Sequence, residues 1–123
     1  MQYTSKLVVS KKRGAKRVQD SEFHGLVDEL FNRIEDDIDD LDQDVDIDAS
    51  GDILTIEFAD GTTAIISRQI GNHEVWIAAK SGGYHLSLDE NHIWQCAATG
   101  EDLSALLSRV ISEQTGAQIT ILN

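Results

Sequence analysis

Residues 53–79 read ILTIEFADGTTAIISRQIGNHEVWIAA, and the alternation within them decides the fold class. Leu54, Ile56 and Phe58 lie two apart and share one face of an extended segment, the period of a half-buried strand. Asp60-Gly61 follows at once, a pair that readily takes the backbone angles of a tight hairpin turn. A second strand is expected over about Thr62–Gln69 and a loop through Gly71-Asn72. A third strand then spans His73–Ala79, with Val75, Ile77 and Ala79 inward and Glu74, Trp76 and Ala78 outward. Connections this short join antiparallel neighbours.

The pattern extends in both directions. Upstream, Val45 and Ile47 alternate before a turn at Ala49-Ser50-Gly51; downstream, Gly82-Gly83 precedes Tyr84–Leu88 and His92–Cys96, two short strands around Asp89-Glu90-Asn91. Helical periodicity brackets these strands. Phe23, Leu26, Val27, Leu30, Phe31, Ile34, Ile38 and Leu41 predict a helix over roughly residues 21–40, with Asp20 or Ser21 as its cap. A second helix is expected to open at Thr99, with Asp102 completing a capping box, a stripe of Leu103, Leu106, Leu107, Val110 and Ile111, and Gly116 at its left-handed end. The tail QITILN (118–123) is apolar enough to pack against something. The expected fold is α+β: a two-layer α-β sandwich of two helices on one face of an antiparallel sheet of about six strands, in the order α-β6-α.

Charge is unevenly distributed over the 123 residues. The formal net charge is −12, yet residues 1–20 hold six basic residues against one acid (+5), leaving four basic against 21 acidic (−17) for the rest. Residues 1–19, with Lys11, Lys12, Arg13, Lys16 and Arg17, read as a basic disordered extension before a domain at 20–123. A folded part this acidic is a poor partner for nucleic acid, which demands clustered Lys and Arg. No apolar run is long enough to span a membrane. The single cysteine, Cys96, excludes an intramolecular disulfide or multi-thiolate zinc site and fits a reducing compartment.

Glu35 to Asp48 holds nine acids in 14 residues and no base: Glu35, Asp36, Asp37, Asp39, Asp40, Asp42, Asp44, Asp46 and Asp48. Asp36 with Asp39 and Asp40, and Glu35 with Asp39, lie three or four apart on the helix, where each like-charge pair is unfavourable by roughly 0.2–0.5 kcal/mol. The helix C-terminus disfavours anions by roughly 0.3–1 kcal/mol apiece. Asp is also a mediocre helix former. A run unfavourable on three counts points to a hard cation or a basic protein surface as its reason, against a solvated face that only confers solubility. Asp46, Asp48, Ser50, Gly51, Asp52, Ile53 and Glu57 match the spacing of an EF-hand loop, but strand-like alternation in Ile53–Phe58 contradicts the required exit helix.

Other chemistry finds little footing. His24, His73, His85 and His92 lie on different elements, and His24 is the one placed to assist a metal. Ser104 and Ser108 have no adjacent base, Cys96 has no basic neighbour, and Gly82-Gly83 is not a phosphate loop, so a non-enzymatic role is expected. Trp76 points outward, either as a recognition surface or covered by Arg68 or Gln69.

The combination of DSEFH (Asp20–His24), the acidic run to Asp48, Asp60-Gly61, SRQ (Ser67–Gln69), VWIA (Val75–Ala78) and GGYH (Gly82–His85) resembles the frataxin family, its bacterial CyaY branch in particular. The resemblance implies a cytoplasmic bacterial regulator of iron–sulfur cluster assembly, monomeric without metal, that contacts a cysteine desulfurase and the cluster scaffold protein. It also implies iron, as Fe2+ or Fe3+, bound weakly at the surface. Asp36, Asp39, Asp40 and Asp42 match the family's iron-binding acids, with Glu35, Asp37, Asp44 and Asp46 alongside. Asp36, Asp39 and Asp40 would meet the desulfurase, and Arg68, Gln69 and Trp76 match an exposed sheet patch for partners. Ser67 stands where the family commonly has Asn, and Ile70 where it has Pro. An acidic interaction adaptor with incidental metal binding is the competing reading.

Overall fold

A computed structural model describes residues 18–123; the basic segment 1–17 lies outside the described residues. Helix α1 (Asp20–Asp39) buries Phe23, Val27, Leu30, Phe31, Ile34 and Ile38, one face at spacings of three and four. Its N-cap is Gln19, without a side-chain cap, and not the expected Asp20 or Ser21; these lie within the helix, with Asp20 and Glu22 as first-turn acids facing the positive dipole end. Val18, just before it, packs against the core.

Seven strands follow as an uninterrupted meander: β1 (Val45–Ser50), β2 (Ile53–Phe58), β3 (Thr63–Gln69), β4 (Glu74–Ala79), β5 (Gly82–Leu88), β6 (Trp94–Cys96) and β7 (Glu101–Asp102). Each is antiparallel to the next. The sheet thus has one strand more than expected, and the added strand accounts for the misplaced helix start. Glu101 and Asp102 pair with Cys96 and Gln95, so helix α2 (Leu103–Thr115) opens later, with Asp102 as N-cap accepting from the Ala105 N–H at 2.9 Å. Thr99 instead accepts from the Glu101 N–H at 3.2 Å within the preceding turn. Gly116 closes α2 at φ +76°, as its position requires.

Both helices cover one sheet face. Leu54, Ile56, Phe58, Ala64, Ile66, Val75, Ile77 and Leu86 form one core with the helical stripes, and Ile121 of the tail joins it at 2% exposure. The EF-hand reading fails as expected: Asp46 and Glu57, its first and last positions, are paired across the β1–β2 hairpin. Among the described residues no helix is long and apolar enough to cross a membrane.

Arg109 joins α2 to β7 by donating from Nε and Nη2 to the two Glu101 oxygens, each at 2.9 Å. That hydrogen bonding holds the Glu101 carboxyl below its ordinary 4.5. A lowered folded value contributes stability that is present above pH 4.5 and lost as pH falls through the folded value. Glu101→Gln should therefore flatten the acid limb of a stability–pH curve below 4.5 and lower neutral-pH stability by on the order of 0.5–1 kcal/mol, since the pair is partly exposed. Urea denaturation at stepped pH reads this directly, and an unchanged acid limb would show the pair to be energetically silent.

Candidate functional site

The acidic run occupies the last turns of α1, the connection after it and the edge strand β1. Burial of Ile34 and Ile38 leaves Asp36, Asp39 and Asp40 exposed, whereas Glu35 and Asp37 are half-buried. Asp42 and Asp44 are exposed in the connection. On β1, Val45 and Ile47 turn inward, which places Asp46 and Asp48 on the solvent side. The acids of the helix end and connection are thus solvent-exposed or half-buried beside the sheet edge, and Asp46 and Asp48 continue the acidic run on the face of β1 turned away from the helices.

Glu57 lies on the same sheet face as Asp46 and Asp48. It is exposed and directly opposite Asp46, a like-charge pair on neighbouring strands that the fold tolerates rather than needs. Register alone reveals this, because the two residues are 11 apart in sequence. Among the described residues none of the nine acids from Glu35 to Asp48 forms an ion pair, and no base lies in the last turn of α1. Nor, among the described residues, do three or more His, Cys, Asp and Glu side chains converge into a ready cage. An exposed all-carboxylate surface suits hard, oxygen-preferring cations held loosely, and equally a basic protein surface.

His24 does not join the acidic run. It sits at the other end of α1, where its Nδ1 is 2.8 Å from Arg68 Nη1; because a guanidinium only donates, this nitrogen is the acceptor. Twelve residues of helix separate His24 from Asp36, about 18 Å at the α-helical rise.

The second candidate surface is the outer sheet face. Trp76 on β4 donates from Nε1 to Glu74 Oε1 at 2.7 Å, and its ring stacks on His85 of β5 at 4.2 Å with planes 6° apart. Register explains the stack, since Trp76 and His85 are directly paired, as are Trp76 and Ser67. Gln69 lies on this face and donates to Ser67 at 3.2 Å. Ile53, paired with Ser67, and Ile65, paired with Ala78, are 43% and 36% exposed, so two exposed isoleucines share the face of the half-buried indole. Alternation within β4 already put Glu74 on the face of Trp76, but His85, Ile53 and Ile65 come to that face beside it only through strand register.

Arg68 is elsewhere. It pairs with Val75 and faces the helices, its side chain only 9% exposed. Nη2 donates to Asp28 Oδ1 at 2.6 Å, Nε lies 3.5 Å from Asp52 Oδ1, and the guanidinium sits over the Phe31 ring at 5.4 Å. The expected exposed trio of Arg68, Gln69 and Trp76 is thus a pair. Strand alternation puts Arg68 on the opposite face, where it ties α1 to β3, and the cover on Trp76 is His85.

Comparison with known proteins supplies the context. Residues 16–117 match the family model described as the frataxin-like domain. The chain is 43% identical over 100 residues to the iron–sulfur cluster assembly protein CyaY of Stutzerimonas stutzeri, covering 80% of this chain and 91% of that protein. It is 41% identical to the protein of the same name in Vibrio campbellii, covering 83% and 97%. Among solved structures it is similar to frataxin from Psychromonas ingrahamii, with TM-score 0.79, 35% identity and coverage of 86% and 100%. It also shares its fold with yeast frataxin, at TM-score 0.67 and 21% identity, over 94% and 96% of the two chains.

Proposed function

This chain belongs to the frataxin-like family, and from that premise we propose that it serves iron–sulfur cluster assembly as a non-enzymatic, iron-responsive regulator. Its acidic run would bind Fe2+ or Fe3+ weakly through Glu35, Asp36, Asp37, Asp39, Asp40, Asp42, Asp44 and Asp46, and dock on a cysteine desulfurase through Asp36, Asp39 and Asp40. Gln69 and Trp76 would meet the scaffold protein. The observation that carries this reading is the acidic run itself: nine acids from Glu35 to Asp48 without an ion-pair partner among the described residues, five of them in or at the end of α1 against helix propensity and dipole. The bacterial relatives and the single, buried Cys96 support a reducing, cytoplasmic setting.

A second reading, an acidic adaptor whose metal binding is incidental, is favoured by one feature, the lack of a convergent carboxylate cage among the described residues. An anaerobic NMR titration separates the two. Ferrous iron should perturb residues 35–48 and Glu57 while leaving Trp76 nearly untouched, with modest affinity that falls as salt rises. Equal responses to magnesium, calcium and iron would favour the adaptor, and perturbations centred on His85 or Cys96 would sink the assignment to the acidic run.

A further inference from the structure

Three of the four histidines lie at the N-terminal end of α1: His24 on the helix itself, His73 in the β3–β4 loop and His92 in the β5–β6 loop. His73 Nε2 is 2.7 Å from Asp20 Oδ1, with its ring stacked on Phe23 at 4.8 Å, and His92 Nε2 is 3.9 Å from Glu22 Oε2. Both face carboxylates of the first turn, so protonation strengthens their contacts. His24 is in the opposite situation. Half-buried and edge-on to Phe23, it accepts at Nδ1 from Arg68 Nη1 at 2.8 Å. A ring nitrogen accepts only while it carries no proton, so this contact belongs to the neutral imidazole with its proton on Nε2. Protonation fills the lone pair and sets an imidazolium beside a guanidinium that keeps its own charge. Arg68 has little in reserve. Its side chain is 9% exposed, Nη2 is committed to Asp28, and Nε is buried without a hydrogen-bond partner, 3.5 Å from Asp52 Oδ1.

We infer that the His24–Arg68 contact is a proton-operated clasp between α1 and β3, closed while His24 is neutral and released when it takes up a proton. Release leaves a second donor of one buried guanidinium without an acceptor, which is what loosens α1 from the strand. The charged groups around the pair decide where the imidazolium turns. Asp20 and Asp28 stand one helical turn to either side of His24, Asp52 lies in the β1–β2 turn beside Arg68, and His73 is separated from His24 by the Phe23 ring they both touch. An imidazolium at position 24 is drawn away from Arg68 toward the two carboxylates of its own helix. The hold on the start of α1 then passes from β3 to the loops, whose histidines bind Asp20 and Glu22 more tightly once charged. The clasp therefore contributes at high pH and is lost as pH falls through the titration of His24, the reverse of the two loop contacts. Because these contributions oppose each other, local opening of α1 reports the clasp better than global stability does.

The test uses the full chain at about pH 8 and about pH 5, the limits between which histidine changes charge. Nitrogen-15 spectra of the imidazole rings read the tautomer, and amide hydrogen exchange, expressed as protection so that its intrinsic pH dependence is removed, reads the opening of residues 24–32. At the higher pH His24 should carry its proton on Nε2. Protection in the wild-type segment should fall about tenfold at the lower pH, the effect of losing one hydrogen bond from a charged donor. His24→Asn places an amide oxygen where Nδ1 stands, an acceptor that does not titrate, and its protection should be alike at both pH values. His73→Gln removes the charge of one loop histidine and should still show at least the wild-type fall. A neutral His24 with its proton on Nδ1, unchanged protection in the wild type, an equal fall in His24→Asn, or loss of the fall in His73→Gln would each overturn the clasp. The first two are read on the unaltered chain, so the clasp is decided even where a variant fails to fold.

Discussion

Asp36→Asn, Asp39→Asn and Asp40→Asn combined should abolish iron-responsive docking on a cysteine desulfurase while raising the melting temperature of the metal-free protein. These acids are exposed, lie three or four apart at the negative end of α1, and have no ion-pair partner among the described residues. Their neutralisation relieves like-charge repulsion and a mismatched dipole, together on the order of 1 kcal/mol, which corresponds to roughly 5 °C for a domain of this size. Wild-type docking should weaken as salt rises, because exposed charges more than about 8 Å apart are largely screened at physiological ionic strength. Desulfurase binding and cluster-assembly rate, with and without ferrous iron at low and high salt, read the functional half, and a metal-free thermal scan reads the other. Intact, iron-responsive binding by the triple variant would remove these acids from the function. A lowered melting temperature would mean that they are satisfied by structural partners.

The outer sheet face and the buried arginine should separate cleanly from each other. Trp76→Ala removes the aromatic centre of the patch formed with Ile53, Ile65 and His85 and should weaken a scaffold-containing complex by about 2 kcal/mol, roughly thirtyfold, independently of salt. Its melting temperature should change little, since the ring lies outside the core. Arg68→Met should do the reverse. It keeps the apolar stem but loses the bonds to Asp28 and His24, and should destabilise the fold by about 2 kcal/mol, while partner binding stays within about twofold at temperatures where the variant is folded. Asp28 and Asp52 remain hydrated after the change, at 64% and 71% exposure, which keeps the loss moderate. Selective loss of binding in Arg68→Met at unchanged stability would return that residue to the partner surface.

Most of the architecture was legible because its signals are local. Alternation at Leu54, Ile56 and Phe58, the Asp60-Gly61 turn and the apolar stripe of α1 each occupy a few consecutive residues, and all reappear in the structure. The misplaced start of α2 has an equally local cause. Thr99-x-x-Asp102 offers a plausible capping pair, but Glu101 and Asp102 are drawn into a short strand by pairing with Cys96 and Gln95, and the next available cap is Asp102 itself. Pairing with the preceding strand overrides a cap, because it satisfies the backbone groups that the cap would otherwise serve.

By itself the sequence determined the acidic surface, since charge is carried by residue type and nine acids in 14 residues remain acids in any fold. It determined also, through alternation, that Trp76 faces away from the core. Only the tertiary structure decided what each of these residues touches. Register brought Glu57 opposite Asp46 and His85 onto Trp76, the packing of α1 on the sheet set Asp28 and His24 against the inward-facing Arg68, and the returning tail claimed Asp37 across 85 residues. Those contacts depend on chain segments far apart in sequence, and their geometry exists only once the hydrophobic core has fixed the relative positions of helix, sheet and tail.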